Sequence, residues 1–353
     1  MIDFNNLQKM IDEKYISMQK HPELDLFIYN YTQKAQFDQV WNNETMQCRG
    51  LILDGQKRVV SRPFPKFFNY QEIIDKGGQI PAEDFIVTEK MDGSLGVSYF
   101  VPTDMAMRIA TRGSFVSDQA FKAQQIFNKK YQDLHWNSAY TYLFEIIYPE
   151  NRIVVDYGRM EDLVLLAVID TYTGEEFPYE KLLEWYDGKL PIVKKYDAIR
   201  DFSNIEQRPN SEGYVIAFPS SKQRMKIKFE EYVRLHRLIT GVNKRRIWDI
   251  LRSGGDLSEL LDRVPDEFFK WVKDSVDDLN NQFKEIREEA GKVYVELIES
   301  TTSRKEFALE AQKHPRVRAF LFMMRDNKPE EVIASAIWRT LKPKHETPFK
   351  IEI

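Results

Sequence analysis

An α+β protein with a separate helical C-terminal region is predicted by two contrasting patterns in the chain. Up to about residue 240, short apolar runs of strand length alternate with turn-forming residues and a few helix-length stretches. Beyond that point, apolar residues step by three and four over about thirty positions, which is the period of a helix. The expected division is a first domain over residues 1–240, built of antiparallel sheets flanked by helices, and an all-helical second domain over 241–353.

The elements follow in order. Phe85-Ile86-Val87-Thr88 reads as a strand entering a turn at Lys90, and Leu95, Val97 and Tyr99 alternate along the strand that leaves it. Residues 117–131 and 179–186 have helical length and spacing. The apolar runs 142–147 and 163–169 are strands. Residues 213–218 and 223–229 flank Pro219-Ser220-Ser221-Lys222, a turn-rich link that makes them a hairpin. Phe268, Val272, Val276, Leu279, Phe283, Ile286, Ala290, Val293 and Leu297 form the apolar stripe of one long amphipathic helix or two collinear ones. Residues 306–325 and 329–341 are also expected to be helical, the latter with Pro329, Glu330 and Glu331 in its first turn.

Composition excludes several classes. The 353 residues are enough for two domains, and 42% hydrophobic with 30% charged residues is ordinary for a soluble protein. No apolar run approaches the roughly 18 residues of a membrane span. Asp3, Asp12 and Glu13 depart from the basic-then-apolar pattern of a signal peptide, so a cytoplasmic protein is expected. Cys48 stands alone, which excludes an intramolecular disulfide and a multi-cysteine zinc site. His21, His135, His236, His314 and His345 are scattered, so any metal should be a hard cation held by carboxylates, phosphates and water. A net charge of −4 argues against wrapping nucleic acid over the whole surface, yet leaves room for a local basic groove. Acids exceed bases over 265–300, and bases exceed acids about two to one over 304–344.

The chemistry-bearing residues form an ordered set. Lys90, in Glu89-Lys90-Met91-Asp92-Gly93-Ser94, has the setting of a covalent nucleophile toward a nucleotide phosphate. A free lysine, with a pKa near 10.4, is almost wholly protonated at neutral pH, so attack requires neighbouring cations or a metal ion to disfavour the ammonium. Lys226 and Lys228, two apart on a strand, project from one face and can neutralise phosphate charge, while Met225, Ile227 and Phe229 face a core. A solvated strand edge is the alternative. Gly93 would let a nucleotide approach the backbone, or simply complete an Asp-Gly hairpin turn. Glu145, in an apolar strand, needs a partner or a cation unless it points to solvent from an edge. Glu212 could bind a water-shelled magnesium ion or sit in a surface turn. Arg49 and Lys66 suit polyphosphate and Phe68 suits a base, although at least one of Phe67 and Phe68 belongs to a core.

Taken together, these segments resemble the covalent nucleotidyltransferase superfamily, and specifically the phage RNA ligase 1 family, ATP-dependent RNA ligases of tRNA repair. Lys90-Met91-Asp92-Gly93 resembles the family's nucleophile motif, Thr111-Arg112-Gly113-Ser114 the next, and Phe144-Glu145-Ile146 the one after. Glu212-Gly213-Tyr214-Val215 and Lys226-Ile227-Lys228 resemble the last two. Cys48-Arg49-Gly50 and Ser61-Arg62-Pro63 through Lys66-Phe67-Phe68-Asn69 match the upstream signature, and Pro149-Glu150-Asn151-Arg152-Ile153-Val154 extends the third motif as the family does. Tyr232 follows the last motif at the family's distance. The likeness runs from about residue 30 to 240, and 304–312 is similar to the family's helical tail. Arg112 is a departure, standing where relatives can carry lysine.

The resemblance implies a nucleotidyltransferase domain in which Lys90 takes AMP from ATP, passes it to an RNA 5′-phosphate, and lets an RNA 3′-hydroxyl displace it. On this reading Lys226 and Lys228 serve phosphate charge. Asp92, Glu145 and Glu212 serve the water shell of Mg2+ (or Mn2+), or the ribose. Arg49 and Lys66 contact phosphates and Phe68 stacks on adenine, with Gly93, Arg112 and Tyr232 completing the nucleotide site. The implied partners are ATP and RNA with 3′-OH and 5′-phosphate ends, such as broken tRNA, with no membrane and no obligate protein partner. The implied setting is the cytoplasm of a phage-infected cell. Arg304, Lys305, Lys313, Arg316, Arg318 and Arg325 could contact RNA phosphates from helices. DNA ligases and capping enzymes share the lysine chemistry but place a β-barrel after the last motif, where helix is expected here. An RNA-binding module without catalysis would not need every charged motif position kept.

Overall fold

A computed structural model describes residues 2–101, 106–197, 199, 201, 205–240, 243–262 and 266–343. Gly241, Pro265, Lys344 and His345, and the side chain of Phe268, lie outside the described residues. The chain divides into two compact units, Met1–Ile239 and Thr240–Ile353.

The first unit contains three four-stranded sheets. β1 (Ile16–Lys20), β2 (Leu26–Tyr31), β3 (Arg49–Asp54) and β4 (Val59–Ser61) run in chain order across the first. The strands β5 (Phe68–Asn69), β6 (Ile86–Glu89), β7 (Ser94–Phe100), β8 (Met107–Thr111), β9 (Tyr140–Ile147), β10 (Asp162–Asp170), β11 (Gly213–Phe218) and β12 (Gln223–Lys228) form the other two. Their orders are β10-β9-β7-β8 and β5-β12-β11-β6. The pairings are antiparallel as expected, except that the short β5 lies parallel to β12, with Phe68 opposite Met225 and Asn69 opposite Lys226. The expected 213–229 hairpin forms, with Gly213 opposite Lys228 and Val215 opposite Lys226.

Local chemistry explains the elements that border the site. The helix Asp118–Lys130 starts where the Ser117 hydroxyl accepts the Ala120 N–H, and carries Lys129 and Lys130 in its last turn, where they suit the helix dipole. It buries Ala123, Ile126 and Phe127 against Ile109, Phe144 and Leu165. β9 is central and apolar on both faces, as a strand covered on both sides should be. Tyr142, Phe144 and Ile146 enter that helix-facing core, while Leu143 packs on the opposite face with Phe64, Val97 and Ala167. Glu145 shares the face of Leu143, so the edge-strand alternative for this carboxylate is excluded. Phe67 packs against the same Leu143 core.

The second unit is helical, and no strand occurs among its described residues. The long apolar stripe forms one continuous helix of 35 residues, Asp266–Ser300. Its Ile286, Ala290, Val293 and Leu297 bury against Phe307, Leu321, Ile333 and Ile337. The expected helix over 306–325 is instead two, Arg304–Ala311 and Arg318–Arg325. Pro315 supplies the reason, since it has no N–H to donate and disfavours helical geometry at His314. Pro329 caps the helix Glu330–Thr340 from just outside it. Trp248 is fully buried and its indole N–H donates to the Trp338 carbonyl at 2.7 Å.

The basic stretch of this unit is largely committed internally. Arg316 pairs with Glu285 and Glu289, Arg304 with Asp326, and Lys313 with Glu310, while the Arg325 guanidinium lies over the Phe307 ring at 4.4 Å. The expected row of cations free for phosphate therefore shrinks.

Phe307 is wholly buried in the cluster formed with Leu297, Leu321 and Ile337. Phe307→Ala should destabilise this unit by about 3–5 kcal/mol, seen as a lower urea midpoint for its helical signal. An unchanged midpoint would show that the core is not organised around this ring.

Candidate active site

Lys90-Met91-Asp92-Gly93 does not turn a hairpin. β6 and β7, which it joins, belong to different sheets, so the segment is a crossover that leaves the β11-paired sheet and enters the β9-paired one. The Lys90 backbone N–H donates to the Gly213 carbonyl at 2.9 Å on the first side, and the Gly93 N–H donates to Glu145 Oε1 at 2.9 Å on the second. Gly93 is required by close approach: a Cβ there would lie 2.6 Å from the Ile146 carbonyl oxygen and 3.1 Å from Glu145 Cγ. At Gly213, φ is +145° and a Cβ would lie 1.9 Å from the Ile227 carbonyl oxygen, so no other residue fits the entry to β11.

The charged groups converge on this crossover. Glu212 is buried, and its Oε1 accepts both Lys90 Nζ at 2.7 Å and Lys228 Nζ at 3.1 Å. One carboxylate oxygen thus ties the crossover lysine to the β12 lysine. Lys226 is buried on the same strand face as Lys228, while Met225 and Phe229 are buried on the other, as the two-residue spacing requires. Glu145 is pushed up to about 7, chiefly by burial; Lys90 opposes the shift, the nearby Glu212 adds to it, and Arg49 opposes it more weakly. Those couplings place Lys90, Glu212, Arg49 and Glu145 in one electrostatic neighbourhood. The expectation that cations crowd Lys90 is incomplete, because its direct ion-pair partner is a carboxylate.

Lys66, Phe68 and Arg112 gather around two aromatic residues that sequence reasoning missed. The Lys66 ammonium is buried within 5.2–5.4 Å of the ring centroids of Tyr31, Trp41 and Phe68. Arg112 donates from Nη1 to the Tyr31 hydroxyl at 3.2 Å and lies over the same ring. Trp41 meets both Tyr31 and Phe68 edge-on, and its indole N–H is buried without a hydrogen-bond partner among the described residues. Through Asn69, the residue after Phe68, β5 pairs with Lys226. Arg49 lies over the Phe67 ring at 5.4 Å.

Both carboxylate oxygens of Asp92 have partners within the chain. Its Oδ2 accepts the backbone N–H groups of Val154 and Val155, both at 2.8 Å, and its Oδ1 accepts the Tyr232 hydroxyl at 2.7 Å. The carboxylate is buried, and these contacts anchor the crossover. The Tyr232 hydroxyl thus meets the crossover at Asp92. Among the described residues, no three His, Cys, Asp or Glu side chains converge on a point that could hold a metal ion. Glu145 and Glu212 could serve a divalent cation through water and phosphate, which suits a small, tightly hydrated ion. Tyr157, whose hydroxyl accepts the Asp92 N–H at 2.8 Å, was not singled out by sequence, and Asn151, bonded to Ser94, was read only as part of the extended third motif. The apolar run ending at Val154 and Val155 was the available signal.

Glu145 makes stability pH-dependent. Its folded value of about 7 lies above its ordinary 4.5. Between those values the folded chain keeps a proton that the unfolded chain has lost. The associated stability is fully present below pH 4.5 and is lost as pH rises through 7. Relative to Glu145→Gln, which stays neutral, the wild-type chain should lose on the order of 1–3 kcal/mol across this window in urea titrations. Parallel pH profiles for the two proteins would show that Glu145 ionises normally.

Comparison with known proteins places this geometry. A family profile described as RNA ligase matches residues 47–233. The RNA ligase of Rhodothermus phage RM378 is 24% identical over 390 aligned positions, covering 87% of this chain and 86% of that protein. A protein of Autographa californica nuclear polyhedrosis virus, whose name joins a polynucleotide kinase to an RNA ligase, is 28% identical over 265 positions. That match covers 65% of this chain, which spans 36% of the viral protein's length. Among solved structures, an archaeal ATP-dependent RNA ligase aligns with a TM-score of 0.43 at 14% identity, covering 76% of this chain and 70% of that one. The profile takes in every segment from Cys48 to Tyr232 and more than half of the 353 residues, and the chain belongs to the RNA ligase family.

Proposed function

We propose that the chain is an ATP-dependent RNA ligase that joins RNA 3′-OH and 5′-phosphate ends through lysyl-AMP and RNA-adenylate intermediates. The observation that carries this reading is the shared carboxylate: Glu212 binds Lys90 and Lys228 at a crossover between two sheets, with Glu145 alongside. A single reactive amine inside a frame of fixed cations is what attack on a polyphosphate requires.

Once the Lys90 ammonium has lost its proton to solvent, Nζ attacks the α-phosphorus of ATP, a P–N bond forms, and pyrophosphate leaves. An oxygen of the RNA 5′-phosphate then attacks the AMP phosphorus and frees the lysine. Finally the RNA 3′-hydroxyl oxygen attacks the 5′-phosphorus, and AMP departs. Each step is displacement at phosphorus, in which placement and charge stabilisation dominate. Lys226 and Lys228 offset phosphate charge. Glu212 holds the Lys90 amine at rest, and phosphate entry gives both lysines an alternative anionic partner. Arg49 and Lys66 are assigned to phosphates, Phe68 to adenine and Arg112 to phosphate or ribose. The uncommitted Trp41 N–H beside Lys66 supports an anion in that cluster. A divalent cation such as Mg2+ or Mn2+ would neutralise phosphate charge there, reached by Glu145 and Glu212 through water.

The helical unit is assigned to the choice of RNA, broken tRNA being the candidate, because every group given to the chemistry lies before residue 240. Its helical character disfavours the DNA ligase and capping readings, which require a β-barrel at this place.

Lys90→Ala should abolish covalent labelling by radiolabelled ATP yet leave sealing of RNA that already carries a 5′-adenylate, with ATP labelling that persists pointing to another nucleophile. A chain ending near residue 245 should still form lysyl-AMP while losing preference for structured RNA. Loss of adenylylation in a truncated chain that stays folded by circular dichroism would sink this division of labour.

A further inference from the structure

The crossover that carries Lys90 is held along one side by a segment that the assigned chemistry does not use. The Asp92 N–H donates to the Tyr157 hydroxyl at 2.8 Å, and Val154 and Val155 donate to Asp92 Oδ2. Two residues further on, Ser94 and Asn151 are hydrogen-bonded side chain to side chain at 3.1 Å, and Asn151 Nδ2 also donates to the Ile146 carbonyl at 3.1 Å. Residues 151–157 therefore grip the crossover at Asp92 and Ser94, and Asn151 fastens the same segment to β9 beside Glu145.

What lies behind this grip gives it its importance. A cavity of about 130 Å³ opens there, bordered by Asp92, Ile146, Ile147, Asn151, Arg152 and Tyr157. A loop pressed on a solid core is located by packing. Here Met91 packs with Ile147, Val164 and Val193, but Asp92 borders the space, so its position depends on its hydrogen bonds, and freeing one leaves room for it to move. Lys90 is only two residues from Asp92, and its amine must meet a phosphorus atom within a few tenths of an ångström of the attacking position. Small displacements of such a group lower rates steeply.

We propose that residues 151–157 form a clamp that sets the position of Lys90, with Tyr157 and Asn151 as positioning residues for adenylylation. Neither touches the reacting atoms. Tyr157 acts through the Asp92 amide and Asn151 through Ser94. The inference rests on the ligase reading above.

The test is single-turnover formation of lysyl-AMP by the full chain over a range of ATP concentrations, with thermal unfolding measured in parallel. Tyr157→Phe keeps the ring and removes only the hydroxyl. At saturating ATP its rate constant should fall about ten- to hundredfold, while the half-saturating ATP concentration stays within about twofold. A loss that appears only in the half-saturating concentration, or a wild-type rate, would overturn the clamp. Asn151→Ala releases the other grip and is read in the same assay, so the proposal remains testable if Tyr157→Phe fails to fold. Wild-type chain that forms no lysyl-AMP would overturn the ligase reading and the clamp with it. Labelled wild type beside an equally fast Tyr157→Phe overturns the clamp alone.

Discussion

The passage of the chain from one sheet to another at Lys90 constrains the rest of the first unit. A hairpin at this place would have put β6 and β7 side by side and sent Lys90 to the rim. Because β6 pairs with β11 and β7 pairs with β9, the lysine stands where the chain passes from one sheet to the other. Everything that touches the crossover comes from one of them or from the segments at their ends. Gly213 and Glu212 enter from the start of β11, Lys228 from the end of β12, Glu145 and Asn151 from in and after β9. The two glycines follow from the same closeness. Side chains at 93 or 213 would strike backbone carbonyls of the neighbouring strand, which cannot move aside without breaking the sheet.

Burying so many charges in one place requires that each be answered. An isolated buried carboxylate or ammonium is strongly unfavourable, and a pair offsets that cost only when its remaining hydrogen-bonding capacity is also used. The three acids resolve the difficulty differently. Asp92 is satisfied by two backbone N–H groups and a tyrosine hydroxyl, all fixed, and so serves as an anchor. Glu212 is satisfied by two lysines, partners that a phosphate could attract away. Glu145 has one backbone donor and more distant cations, so its ionisation is displaced upward. On the proposed mechanism, this gradation from anchored to exchangeable would let the frame stay rigid while its ionic partners change.

Much of this was legible in the sequence because periodicity and charge placement speak directly to it. The two-residue spacing of Lys226 and Lys228 predicts a common face, and the buried Met225 and Phe229 on the other side answer to it. The stripe from Val272 to Leu297 predicts a helix, and one continuous helix carries it. Sheet membership was not legible: Asp-Gly between two strands reads as a hairpin, and nothing local reveals that the strands pair elsewhere. For the same reason the anchoring contacts of Asp92 were not foreseen. Its partners are a backbone segment about sixty residues on and Tyr232 far beyond, and backbone donors carry no side-chain signature. Tyr31 and Trp41 were hidden because aromatic residues ordinarily fill cores, and only the buried Lys66 among their rings sets these apart.

The helical unit obeys a different logic, and the contrast bears on its part in the proposed function. At the crossover of the first unit, two lysines share one buried acid, whereas its surface carries ordinary separate pairs such as Lys130 with Asp162. In the second, Arg316, Arg304 and Lys313 each have acidic partners nearby, on surfaces open to solvent. Pairs of this kind add little stability and are weakened by salt, but they lower the net field that a phosphate backbone would feel. Nucleic acid approaching this unit must therefore compete with internal carboxylates for the same guanidinium groups. Recognition built on such groups favours an RNA whose shape brings several phosphates to bear at once, since no single contact offers much gain. Specificity for structured RNA would then arise from geometry, while the unpaired end of a flexible strand would gain little from the same surface.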